Sequence, residues 1–84
     1  MSPLGAFARD VYAAGRAAGF GPLETRRAVA GALIGLDGRN AFGTPAPAAA
    51  RGERAYEAAA AAGAADVDCW GAFAGAVLLL EAGS

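Results

Sequence analysis

Two glutamates, Glu53 and Glu57, are spaced so that a helix would place both carboxylates on one face, one turn apart. Paired carboxylates can divide acid and base roles or bind a hard cation. Arg51 and Arg54 are interleaved with them, which is the usual pattern of a solvent-exposed helix face with alternating charge. We therefore predict neither a catalytic nor a metal site at this pair.

The rest of the chain offers few other groups for catalysis. It contains no histidine and no lysine, which excludes a Ser–His or Cys–His nucleophile pair, a Schiff base and a P-loop. Cys69 is the single cysteine and lies in an apolar segment without a neighbouring cation, so we expect a buried, unreactive thiol. We predict a non-enzymatic protein that needs no cofactor.

A partial helix-turn-helix pattern covers residues 14 to 33. Gly15, Gly19 and Phe20 fit the small residue, the turn glycine and the apolar residue after the turn. In that interpretation the second helix enters the major groove, and the candidate DNA contacts are Arg16, Thr25, Arg26 and Arg27.

Two features weaken this pattern. The motif favours larger apolar residues where this chain has Thr25 and Ala28, and the net charge of −1 gives no overall attraction to nucleic acid. A plain helical hairpin with solvated arginines is the alternative. Nucleic-acid binding is thus possible but disfavoured.

The elements that would position these residues are helices, because 26 of the 84 residues are alanine, the strongest helix former. Proline, glycine and Asp-Gly punctuate the sequence at the places where helices begin and end. The predicted helices cover residues 3 to 18, 22 to 36, about 45 to 63 and 66 to 81. We expect Asp66 or Asp68 to cap the last of them.

The C-terminal segment, residues 66 to 81, is apolar on nearly all sides as a helix, so other helices or a partner must cover it. Trp70 and Phe73 lie about one turn apart and are either core residues or contacts for a partner. The third helix has only Tyr56 as a large apolar residue, and we predict that it is the most peripheral.

Glycines four residues apart recur at Gly15/Gly19, Gly31/Gly35 and Gly71/Gly75. Such pairs form a smooth patch that another backbone can approach closely. Glycine inside a helix is about 1 kcal/mol less favourable than alanine, so we expect close neighbours. These are either helices of the same chain or a partner, which makes Gly71 and Gly75 interface candidates.

The longest irregular stretch is residues 37 to 47, with Phe42 in its middle. An aromatic side chain in a loop either tucks into the core or contacts a partner. Phe42 is therefore a further interface candidate.

Together these patterns predict one all-α domain, residues 1 to 84, with four helices, short loops and the C-terminal helix at its centre. The longest apolar run is about half of a membrane span, the N-terminus lacks a secretory pattern, and the composition resembles that of GC-rich bacteria. We predict a bacterial cytoplasmic interaction protein, encoded by the host, a phage or a mobile element, that is an adaptor, inhibitor or regulatory subunit. We expect it to form a homodimer or to bind another protein, and not a membrane. The alternative is a DNA-binding regulator that uses residues 22 to 36.

Overall fold

Prolines begin three of the helices in the computed structural model, which describes residues 3–37 and 45–79. The first helical position suits proline because its missing N–H would have no partner inside the helix. The helices are α1 (Pro3–Ala17), α2 (Pro22–Asp37), α3 (Pro45–Ala61) and α4 (Asp66–Val77). The prediction of an all-α four-helix fold is confirmed.

Left-handed glycines end α1 and α3. Gly19 has φ +96° and Gly63 has φ +88°. After α1, the Phe20 N–H donates to the Gly15 carbonyl at 3.1 Å, and the Gly19 N–H donates to the Arg16 carbonyl at 3.0 Å. This pair of bonds is a Schellman motif, and the end of α3 repeats it.

The end of α4 differs, because the residue with positive φ there is Leu79, at φ +58°. The helix ends at Val77, four residues before the predicted end at 81. Arg51 of α3 donates to the carbonyls of Ala76 and Val77 at 3.3 and 3.2 Å, which satisfies two acceptors at the helix end.

The predicted capping of α4 by Asp66 or Asp68 is wrong. The N-cap is Ala65, and no side chain caps the helix. Asp66 is already the first helical residue, and its carboxylate accepts a hydrogen bond of 2.6 Å from the Tyr56 hydroxyl of α3. The acidic side chains of the first turn still interact favourably with the positive end of the helix dipole.

Helix α4 is the centre of the molecule, as predicted. It packs mainly against α3 and α1, with a smaller contact to α2. The radius of gyration is 11.6 Å, close to the value of about 12 Å expected for a compact domain of this length. The buried apolar residues of the core are Ala8, Val29, Ala30, Leu33, Ile34, Ala48, Ala49, Cys69, Trp70, Phe73, Ala74, Val77 and Leu78.

The prediction that α3 is peripheral is wrong, because α3 forms the most extensive contact with α4. Gly52 is the reason for the close fit. A Cβ atom added to Gly52 would lie 2.9 Å from the Phe73 ring and 2.9 Å from a methyl group of Val77. Small residues let α3 bury larger side chains that belong to α4.

Helices α1 and α4 also meet at a glycine pair. A Cβ added to Gly5 would lie 2.8 Å from the Gly71 amide nitrogen and 2.8 Å from the Val67 carbonyl oxygen. The two backbones are therefore almost in contact, which a side chain at position 5 would prevent.

Candidate interaction surfaces

Trp70 and Phe73, two of the predicted interface residues, are buried in the chain's own core. Trp70 is 5 % exposed and Phe73 is fully buried. The Trp70 ring lies about 5 Å from the rings of Tyr12, Tyr56 and Phe73, at tilted or edge-on angles that aromatic pairs favour. Neither side chain is available at the surface, so the structure supports the core interpretation of both.

Polar contacts surround this aromatic cluster and connect three helices to it. The Arg26 guanidinium lies 5.9 Å above the centre of the Tyr12 ring and donates to the Glu53 carboxylate at 3.0 Å. The hydrogen bond to Asp66, followed by burial, raises the pKa of Tyr56 to about 12, so the phenol stays protonated and donating. These contacts position the core and leave Arg26 engaged within the chain.

The four candidate DNA contacts do not form one surface. Thr25 is 1 % exposed, and its hydroxyl donates to the Gly21 carbonyl at 2.7 Å. Its methyl group fills the space beside Gly15, where an added Cβ would lie 2.6 Å away. Thr25 therefore packs α2 against α1 and cannot reach a DNA groove, which corrects that prediction.

Arg16 and Arg27 are the exposed members of that set. Arg16 donates through Nη1 to the Phe20 carbonyl at 3.1 Å, and Arg27 has no partner within the described residues. With Thr25 buried and Arg26 paired, Arg16 and Arg27 are the two members that remain of the proposed DNA-binding face. The helix-turn-helix alternative loses its central contacts.

The predicted glycine patches have different surroundings in the structure. Gly71 lies against Gly5, but an added Cβ at Gly35 or Gly75 would have no described atom within 4 Å. Of the two alternatives for these glycines, packing within the chain holds for Gly71, whereas Gly35 and Gly75 have no such neighbour among the described residues.

Gly75 belongs to a surface that we call the α4 outer face. Its residues recur at helical spacing on the side away from the core. They are Ala72, Gly75, Ala76 and Leu79. Leu79, at its end, is 67 % exposed.

Phe20 and Leu23 form a second exposed apolar site at the turn between α1 and α2. They are 55 % and 52 % exposed. Phe20 was predicted only as the apolar residue after a turn, and Leu23 was not singled out, so this site was missed. The clue was Gly15, which offers no side chain for Phe20 to pack against.

The candidate catalytic and metal-binding residues have structural roles or are exposed to solvent. Cys69 is buried, as predicted, and its thiol donates to the Ala64 carbonyl at 3.6 Å. Glu53 pairs with Arg26, whereas Glu57 is exposed, so the two carboxylates do not share a site. Within residues 3–37 and 45–79 no acidic or cysteine cluster could hold a metal ion. Phe42 lies outside the described residues.

Comparisons with protein-family models, curated proteins and solved structures give no match for this chain. None of the helices that the structure describes is both long and apolar enough to cross a membrane.

Proposed function

We propose that this chain is a small non-enzymatic protein of the bacterial cytoplasm that regulates or scaffolds by association, and that the α4 outer face pairs with the same face of a second copy. The observation that supports this most directly is the open Gly75. It lies in the last turn of the central helix, where the chain's own described packing does not require a glycine.

Two residues of this face are unfavourable for the isolated chain. Glycine in a helix is up to about 1 kcal/mol less favourable than alanine. Leucine at positive φ costs roughly 1–2 kcal/mol, and Leu79 also exposes most of its side chain. A second helix that crossed at Gly75 and covered Leu79 would offset both costs.

The α1–α4 contact shows how such a crossing is built in this protein. Gly5 and Gly71 bring two backbones together without intervening side chains. Gly75 lies one turn beyond Gly71 and offers a similar approach from outside. A homodimer with two-fold symmetry would place Gly75 opposite its own copy and Leu79 at the periphery.

Analytical ultracentrifugation over a concentration series tests this proposal. We expect a monomer–dimer equilibrium, and we expect Gly75→Leu to weaken it by at least about tenfold because the side chain separates the two backbones. Leu79→Gly should also weaken association while raising monomer stability, since glycine accepts positive φ.

Gly35→Leu is the matched control, because Gly35 is an equally open helical glycine on α2. It should leave the dimer unchanged. A wild-type chain that stays monomeric at millimolar concentration would refute the proposal, and so would equal dimerisation of Gly75→Leu and wild type.

A further inference from the structure

A second surface, which we call the turn patch, comprises Arg16, Phe20, Leu23 and Arg27. Phe20 and Leu23 are two of the three large apolar side chains that are exposed in the described part of the chain, and Leu79 is the third. The patch lies where α1 ends and α2 begins, and it shares no residue with the α4 outer face.

The exposure of Phe20 follows from how α1 ends. In a Schellman motif the apolar residue after the left-handed glycine commonly packs against the helical residue five positions earlier. Here that residue is Gly15, and the Thr25 methyl group occupies the space beside it. Phe20 is thus denied its local partner, and its ring remains at the surface.

Positive charge accompanies these two apolar side chains. Arg16 is held beside Phe20 by its hydrogen bond to the Phe20 carbonyl, and four more N–H donors of its guanidinium remain. Arg27 lies one turn after Leu23 and has no partner within the described residues. Glu24 is the acid at this site, and the positive end of the α2 dipole offsets part of its charge.

We infer that the turn patch binds an acidic amphipathic helix of another protein. Arg16 is hydrogen-bonded to the Phe20 carbonyl, and Arg27 follows Leu23 by one turn of α2, so each apolar side chain has a basic group beside it. A partner helix with apolar residues on one side would cover Phe20 and Leu23. Carboxylates at the edges of that side would form ion pairs with the two arginines. Nucleic acid would satisfy the charge but would leave the two apolar side chains without an apolar partner.

Selection from a displayed random-peptide library tests this inference. The full-length protein is the bait, and the double variant Phe20→Ser, Leu23→Ser removes peptides that bind elsewhere. We expect enriched peptides to carry leucine or phenylalanine at helical spacing together with an excess of aspartate and glutamate. Because both substituted side chains are about half exposed, the variant should keep the helical circular dichroism spectrum.

Fluorescence anisotropy of one enriched peptide then measures how much the apolar and the basic side chains contribute to its affinity. The double serine variant should weaken binding by at least about tenfold, and Arg27→Gln by about threefold, with weaker binding at higher salt. Arg54→Gln is the matched control, since Arg54 is an exposed arginine on α3. It should leave the affinity unchanged.

Three results would overturn the inference: enriched peptides without an acidic excess, equal binding to the double serine variant, or no enrichment at all. Vesicles containing phosphatidylserine, or a DNA duplex, would also overturn it if they bound through Phe20 and Leu23 while peptides did not. Gly75→Leu should not change peptide binding, so failure of the dimer proposal and failure of this one are distinguishable.

Discussion

Five helical glycines in the described part of this protein fall into two groups with opposite environments. Gly5, Gly15 and Gly52 lie where an added Cβ would come within 3 Å of a neighbouring backbone or buried side chain. Gly35 and Gly75 face space without any described atom within 4 Å. The first group stabilises the tertiary fold because it allows neighbouring helices to approach closely. Within the described chain, the second group only lowers helix propensity.

Neighbours in sequence can belong to different environments. Gly71 touches Gly5 of α1, and Gly75, one turn later, faces outward. Glycine spacing therefore indicates that a smooth surface exists but does not indicate which helix uses it. Substitution by alanine separates the two groups, because the same added methyl group has opposite effects in them.

The largest effect is expected for Gly5→Ala. Its methyl group would meet backbone atoms of Val67 and Gly71, which cannot move aside without separating α1 from α4. We expect a loss of about 3 kcal/mol in the free energy of unfolding, measured by urea denaturation. Gly52→Ala should lose less, since it meets side chains of Phe73 and Val77. An unchanged or higher stability of Gly5→Ala would contradict this crossing.

An intermediate effect is expected at Gly15, where the obstacle is one methyl group of Thr25. Gly15→Ala should lose about 1–2 kcal/mol of stability. Thr25→Ser removes that methyl group but keeps the hydroxyl that donates to Gly21, and alone it should lose about 1 kcal/mol.

The double variant should then lose no more than Gly15→Ala alone, because the added Cβ occupies the space that the Thr25 methyl group left. A double-mutant cycle from the same urea transitions gives the coupling energy, which we expect to be about 1 kcal/mol. Strictly additive losses would show that the two residues are not in contact.

The smallest effect, of opposite sign, is expected for Gly35→Ala and Gly75→Ala. Each should raise the stability of the monomer by up to about 1 kcal/mol, because alanine is the better helix former and meets no described atom. Thermal unfolding at low protein concentration measures the monomer alone. A destabilised Gly75→Ala monomer would show that this position is packed within the chain, and would remove the main support for the α4 outer face.

Much of the architecture could be predicted from local patterns. Pro3 and Pro22 marked helix starts and Gly19 marked an end, because their backbone preferences act over a few residues. The apolar character of residues 66 to 81 indicated a central helix. The end of α4 was predicted too late, because Leu79 adopts a conformation that its sequence does not favour and Arg51 supplies the cap from another helix.

The surfaces could not be predicted in the same way. Exposure depends on which side of each helix meets a neighbour, and alanine-rich helices have apolar residues on several sides. Trp70 was ambiguous for this reason until Tyr12 and Tyr56 were seen to enclose it. Thr25 was expected to face solvent, because a threonine in a polar stretch does not reveal that a glycine one helix away accommodates its methyl group.

By itself, then, the sequence determined the helical class, most helix boundaries and the lack of histidine and lysine chemistry, since propensity and composition are local properties. The tertiary structure alone decided that α3 is a main partner of α4, that Trp70 and Phe73 are core, and that Phe20, Leu23 and Leu79 are exposed. Those facts depend on contacts between residues far apart in the chain, where one glycine or methyl group decides which faces can meet.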